Sequence, residues 1–128
     1  MKIFVASSFV LLLIGLAFIF TNGGNNVGST INENNVSIVN GKQIIDLTAK
    51  GGYTPMKSIA KAGLPTILRF TTSGNFDCSA FVRIPAMKVA QSLALSGTTE
   101  IDLGSPKPGL LQGMCGMGMY PFEINFQI

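Results

Sequence analysis

The chain of 128 residues contains no histidine and no tryptophan. The missing histidine rules out Ser-His-Asp and Cys-His catalysis and most metal-assisted hydrolysis. It also rules out a blue-copper electron-transfer centre, which needs two histidines beside its cysteine. Cysteine is scarce, at two residues. An iron–sulfur cluster needs about four cysteines, and a structural zinc site wants four nitrogen, thiolate or carboxylate ligands. Charge is thin as well: nine Lys/Arg against six Asp/Glu give a net +3. No basic run or helical stripe is present, so the chain carries no nucleic-acid footprint. The length bounds it to one ordinary domain.

What is present is unevenly distributed. Residues 3–20, "IFVASSFVLLLIGLAFIF", hold no charge. Eighteen residues is near the minimum for a helix crossing a hydrocarbon core. The competing reading is a cleaved signal peptide, which wants a basic leader and a small-x-small cleavage site. Only Lys2 precedes the apolar run, "AFIFTNGG" offers no such site, and no cysteine follows for a lipid anchor. Residues 1–20 are therefore expected to be an uncleaved membrane anchor. With Lys2 held inside, the positive-inside rule would send the rest of the chain outward. Residues 21–35, rich in Asn and Gly, cannot bury enough apolar surface to offset ordering and read as a flexible tether.

From residue 36 the pattern is one of short strands with turn punctuation. Asn40-Gly41 between two apolar runs is a strong hairpin signal. "MKSIAKA" alternates Met56, Ser58 and Ala60 against Lys57, Ile59 and Lys61. "TILRFTT" places Ile67 and Arg69 on one face and Leu68 and Phe70 on the other. "CSAFVRI" ends at Pro85, "GTTEIDL" is a strand, and "FEINFQI" closes the chain; "AMKVAQSLAL" is either a helical turn or an irregular crossover. About seven strands at this spacing predict an all-β antiparallel sandwich over residues 36–128.

The densest chemistry lies in "GLLQGMCGMGMYPF", residues 109–122, where Met114, Cys115, Met117 and Met119 fall within six residues. If "CGMGM" is extended, period-two geometry puts Cys115, Met117 and Met119 on one side. Gly116 and Gly118 then leave the other side bare, and Met114 points away into the core. Methionine is usually a gap-filler, and Met56 and Met87 are read that way. Glycine-separated methionines make a weak core strand and a good ligand loop. Cys78, in "DCSAFVRI", lies 37 residues before Cys115. Two readings of the pair stay open: a disulfide, as in exported domains, or a shared soft metal. Thiolate and thioether together select Cu(I).

These segments carry a resemblance. "GGYTPMKSIAKAGLPTILRF", "DCSAFVRIP" and "PGLLQGMCGMGMY" are similar to the cupredoxin-like copper-binding domains of bacterial copper-efflux systems. The likeness extends to the CupA-type membrane-anchored Cu(I) chaperones and to the N-terminal domain of the copper-exporting P-type ATPase CopA. It covers about residues 43–128 and implies a cupredoxin-like Greek-key β-sandwich whose histidine ligands are replaced by sulfur. It also implies two Cu(I) ions in a dinuclear site, with Cys78 and Cys115 forming the tighter position and Met117 and Met119 completing a weaker one. The implied role is non-enzymatic: a membrane-tethered copper chaperone or buffer that supplies a copper-exporting P-type ATPase and confers copper resistance. Feeding such an exporter from the cytosol requires the domain to face the cytoplasm, against the weak signal of the single Lys2. The alternative is a disulfide-stapled β-sandwich acting as an interaction domain on the cell exterior.

Overall fold

The computed structural model describes residues 33–128; the expected anchor at 1–20 and most of the expected tether lie outside the described residues. Ten strands follow one another: β1 Val36–Val39, β2 Lys42–Ala49, β3 Tyr53–Thr54, β4 Lys57–Lys61, β5 Thr66–Ser73, β6 Phe81–Ile84, β7 Val89–Ser92, β8 Ser96–Gly104, β9 Gly109–Cys115 and β10 Pro121–Gln127. Single 3₁₀ turns lie at Glu33–Asn35, Cys78–Ala80 and Pro85–Met87. Among the described residues no helix is long and apolar enough to cross a membrane.

The Asn40-Gly41 signal forms the turn it predicts. Both residues take positive φ, 52° and 75°, and Val39 pairs with Lys42 across them. This is the left-handed turn geometry whose twist matches the flanking strands. The alternation in β5 also holds, with Leu68 and Phe70 buried and Ile67 and Arg69 only half-buried. "AMKVAQSLAL" resolves into the Pro85–Met87 turn, a left-handed Lys88 with φ 55°, and β7 paired to β6.

The strands form two sheets, ordered β1-β2-β5-β8 (with β3 on the edge of β2) and β4-β10-β9-β6-β7. The sequence predicts a wholly antiparallel sandwich, and the structure departs from it at two pairs. β2 runs parallel to β5, and β10 runs parallel to β4. The reason is the path of the chain: after β2 it crosses to the second sheet as β4, then returns as β5. A parallel pair needs such a crossover, and alternation within a strand carries no record of the partner's direction.

Inward-facing residues of both sheets make the core. Ile45, Leu47, Leu68, Phe70, Ile101 and Leu103 meet Val82, Ile84, Leu111, Phe122, Ile124 and Phe126. At the end nearest the two cysteines the rings of Tyr53, Phe70 and Phe122 pack edge-to-face, with centroids 4.9 to 5.8 Å apart. At the other end Gln43, fully buried, ties the sheets together. Its Nε2 donates to the Lys61 carbonyl at 2.9 Å, and its Oε1 accepts from the Lys61 N–H at 2.9 Å.

Candidate metal centre

Cys78 opens the 3₁₀ turn between β5 and β6, and Cys115 is the last residue of β9. β6 pairs with β9, and Val82 is the partner of Cys115, so the turn before β6 is carried to the end of β9. The two Cα atoms stand 5.7 Å apart and the sulfurs are joined as a disulfide. Convergence of the two sulfurs, expected from the sequence, is therefore a property of the fold. Cys115 has no exposed surface, while Cys78 is half-buried.

The segment after Cys115 is not the extended strand that period-two reasoning predicts. It turns at once: the Gly118 N–H donates to the Cys115 carbonyl at 2.9 Å, and the Cys115 N–H donates to the Tyr120 carbonyl at 3.1 Å. Gly118 has φ +75°, open to glycine at no steric cost. The turn aims main-chain N–H groups at both sulfurs. Met117 N lies 3.5 Å from Cys78 Sγ, and Met119 N lies 3.2 Å from Cys115 Sγ. Such donors favour a sulfur that carries negative charge. The Met117 and Met119 side chains project outward, 81% and 64% exposed. The fold thus brings the two cysteines together and holds both methionines on the adjoining turn, facing solvent.

The other methionines divide. Met87 packs against the core, as a gap-filler should. Met56 is 57% exposed and Met114 only half-buried; both line a groove on the outer face of the second sheet beside Pro121 and Glu123. The expected packing roles of Met56 and Met114 are therefore not realised. Outward residues of β9 and β10 face solvent there, and among the described residues no further layer receives them.

Sequence reasoning passed over the polar residues that shape the Cys78 loop. Asp77 caps the 3₁₀ turn: its Oδ1 accepts from the Ser79 N–H at 2.7 Å and from the Ser79 hydroxyl, and its Oδ2 accepts from the Gly51 N–H at 2.7 Å. The Ser79 hydroxyl, aided by the two backbone donors and Lys50, holds the Asp77 carboxyl below the usual carboxylate range. Asn75, buried, donates to the Ala49 carbonyl at 2.8 Å and to Ser79 Oγ at 2.9 Å. The Tyr53 hydroxyl lies 3.2 Å from the carbonyls of both Ser79 and Phe81. Burial, with the Asp77 charge a lesser cause, pushes the Tyr53 phenol well above its ordinary value. The available signal was the helix-capping pattern of an aspartate two residues before a serine.

Two cysteine sulfurs, joined here as a disulfide, lie beside two thioethers in a chain with no imidazole; once reduced, they are donors of the soft class, thiolate and thioether. Among the described residues no group of three or more His, Cys, Asp or Glu is placed to hold a metal.

No protein-family model matches the chain, and no curated protein matches it. Solved structures do. The metal-binding domain of the Cu(I)-exporting P-type ATPase CopA of Streptococcus pneumoniae D39, crystallised with Cu(I), superposes with a TM-score of 0.66 at 20% identity. That match covers 73% of this chain and 93% of the other. A copper binding protein solved by NMR in its apo form gives a TM-score of 0.66 at 23% identity, covering 72% of this chain and 94% of that one. At these identities the likeness is one of fold, an all-β sandwich of two sheets.

Proposed function

We propose that this chain is a Cu(I)-binding chaperone or buffer, tethered to the membrane by residues 1–20, that passes reduced copper to a copper-exporting P-type ATPase. One observation carries the reading. Two cysteines 37 residues apart fold onto one another, next to a turn bearing two exposed thioethers, in a chain without histidine. Similarity of fold to the domains named above supports it.

The working state in this reading is the reduced pair. Cys78 and Cys115 as thiolates give the tighter position for the copper cargo, because anionic sulfur is the strongest soft donor in the chain. Met117 and Met119 offer neutral thioethers, so a second ion is held less firmly and leaves first. Their exposure is what ligand exchange requires: an acceptor's sulfur reaches the ion before the protein's own has let go. Nothing in the donor set supplies a nucleophile–base pair, and the role proposed is binding without catalysis. A cytoplasmic position keeps the thiols reduced.

The Cys78–Cys115 bond seen here favours a second reading, a disulfide-stapled extracellular sandwich that serves as an interaction domain. Thiol titration of protein purified with and without reductant, followed by Cu(I) competition against a chromophoric chelator, separates the two. The chaperone reading expects two titratable thiols after mild reduction and chelator-competitive copper binding that a Cys78→Ser, Cys115→Ser variant lacks. A Cys78–Cys115 disulfide that resists reduction in the folded protein, or equal binding by the double variant, refutes it.

A further inference from the structure

The loop that carries Cys78 is fixed from both sides through one carboxylate. Asp77 Oδ2 takes the Gly51 N–H at 2.7 Å, anchoring the loop to the turn between β2 and β3. Asp77 Oδ1 takes the Ser79 N–H at 2.7 Å and the Ser79 hydroxyl. The Asp77 N–H in turn donates to Asn75 Oδ1 at 3.2 Å, and the Ala80 N–H donates to the Asp77 carbonyl at 3.1 Å. Cys78 is the residue between the two positions so tied, and it offers no regular strand pairing of its own to hold it. Its partner needs no such device, since Cys115 ends a strand and is fully buried.

We infer that Asp77 is the positioning residue of the sulfur pair, holding Cys78 Sγ within reach of Cys115 Sγ before any metal or bond joins them. With Asp77 in place the pair starts near its joined geometry, and little loop freedom is lost on closing it. Without it the 3₁₀ turn loses its cap and the Gly51 tie, and Cys78 samples positions away from Cys115. The consequence for copper rests on the function proposed above; the consequence for the thiols does not.

The test therefore begins without metal. Equilibration with glutathione reads the effective concentration of one thiol toward the other: the protein disulfide and two glutathione thiols exchange to the protein dithiol and one glutathione disulfide. Asp77→Ala is expected to shift this equilibrium toward the dithiol by about fivefold to tenfold, the size of losing one cap and its tie. Asp77→Asn, which keeps an acceptor for Ser79, is expected to recover most of the shift. Ser79→Ala gives a smaller shift in the same direction and serves if Asp77→Ala does not fold. An equilibrium unchanged in both Asp77→Ala and Ser79→Ala, or an Asn variant no better than Ala, overturns the assignment. The same variants are then titrated with Cu(I) alone. A wild type that binds no copper defeats the proposed function and leaves the glutathione result standing. Unaltered copper affinity in a variant with altered exchange defeats the role of Asp77 toward the metal.

Discussion

The main-chain N–H of Met119 meets the Cys115 sulfur at 3.2 Å, while the Met119 side chain points into solvent. Backbone and side chain of one residue thus face different parts of the site. Met117 repeats the division toward Cys78. Replacing both side chains leaves the N–H donors in place, so the double variant Met117→Ala, Met119→Ala should keep the copper held by the cysteines and lose only the weaker ion. Chelator competition should show its stoichiometry falling by one. A count equal to that of wild type removes the methionines from the ligand set.

Cys115→Ser should have the opposite reach. Its sulfur is fully buried, faces Cys78 and receives the Met119 N–H, so both copper positions are expected to depend on it. The variant should retain no chelator-competitive Cu(I). Retention of one ion would assign the tighter position to Cys78 and the methionines instead.

Closing a loop of 37 residues by a covalent link stabilises a fold by about 4 kcal/mol in the chain-entropy account. Reduction should therefore lower the urea midpoint, and Cu(I) added to the reduced protein should restore much of the loss by bridging the same two sulfurs. Urea unfolding of oxidised, reduced and copper-loaded protein checks this. A reduced protein that copper does not stabilise contradicts bridging.

Tyr53 sets a limit at high pH. Burial raises its phenol above the ordinary value of about 10, so the folded state keeps the proton after an unfolded chain would release it. Its contribution is full below pH about 10 and is lost as pH rises through the folded value. Alkaline unfolding should thus coincide with appearance of the Tyr53 phenolate absorbance. Tyr53→Phe should remove that coupling and cost about 1–2 kcal/mol, since the Ser79 and Phe81 carbonyls lose their hydroxyl partner.

The strands were legible where a local rule is strong, as at Asn40-Gly41 and in the alternation about Leu68 and Phe70. β9 was not read as a strand. Adjacent leucines at 110 and 111 break the alternation, and Gly113 stands where a side chain would strike the Phe122 ring. That glycine is required by a residue nine positions away on β10, a contact that no window along the chain reveals. The two cysteines were legible as a pair because chemistry singles them out. The turn at Gly116–Met119 was not, since glycine accepts extended and turned backbone alike, and the bonds to Cys115 and Tyr120 decide between them. Asn75 was silent because its partner Ala49 lies 26 residues away, and at Asp77 only the local cap on Ser79 could be read, not the tie to Gly51, also 26 residues away.

With its sulfurs free, the Cys78–Cys115 pair is expected to hold reduced copper. Cu(I) stoichiometry measured on one preparation, half fully reduced and half oxidised, tests it most directly. About two ions per chain are expected in the reduced protein and none held at the cysteines in the oxidised protein. Equal binding in the two states, or none in the reduced one, contradicts it.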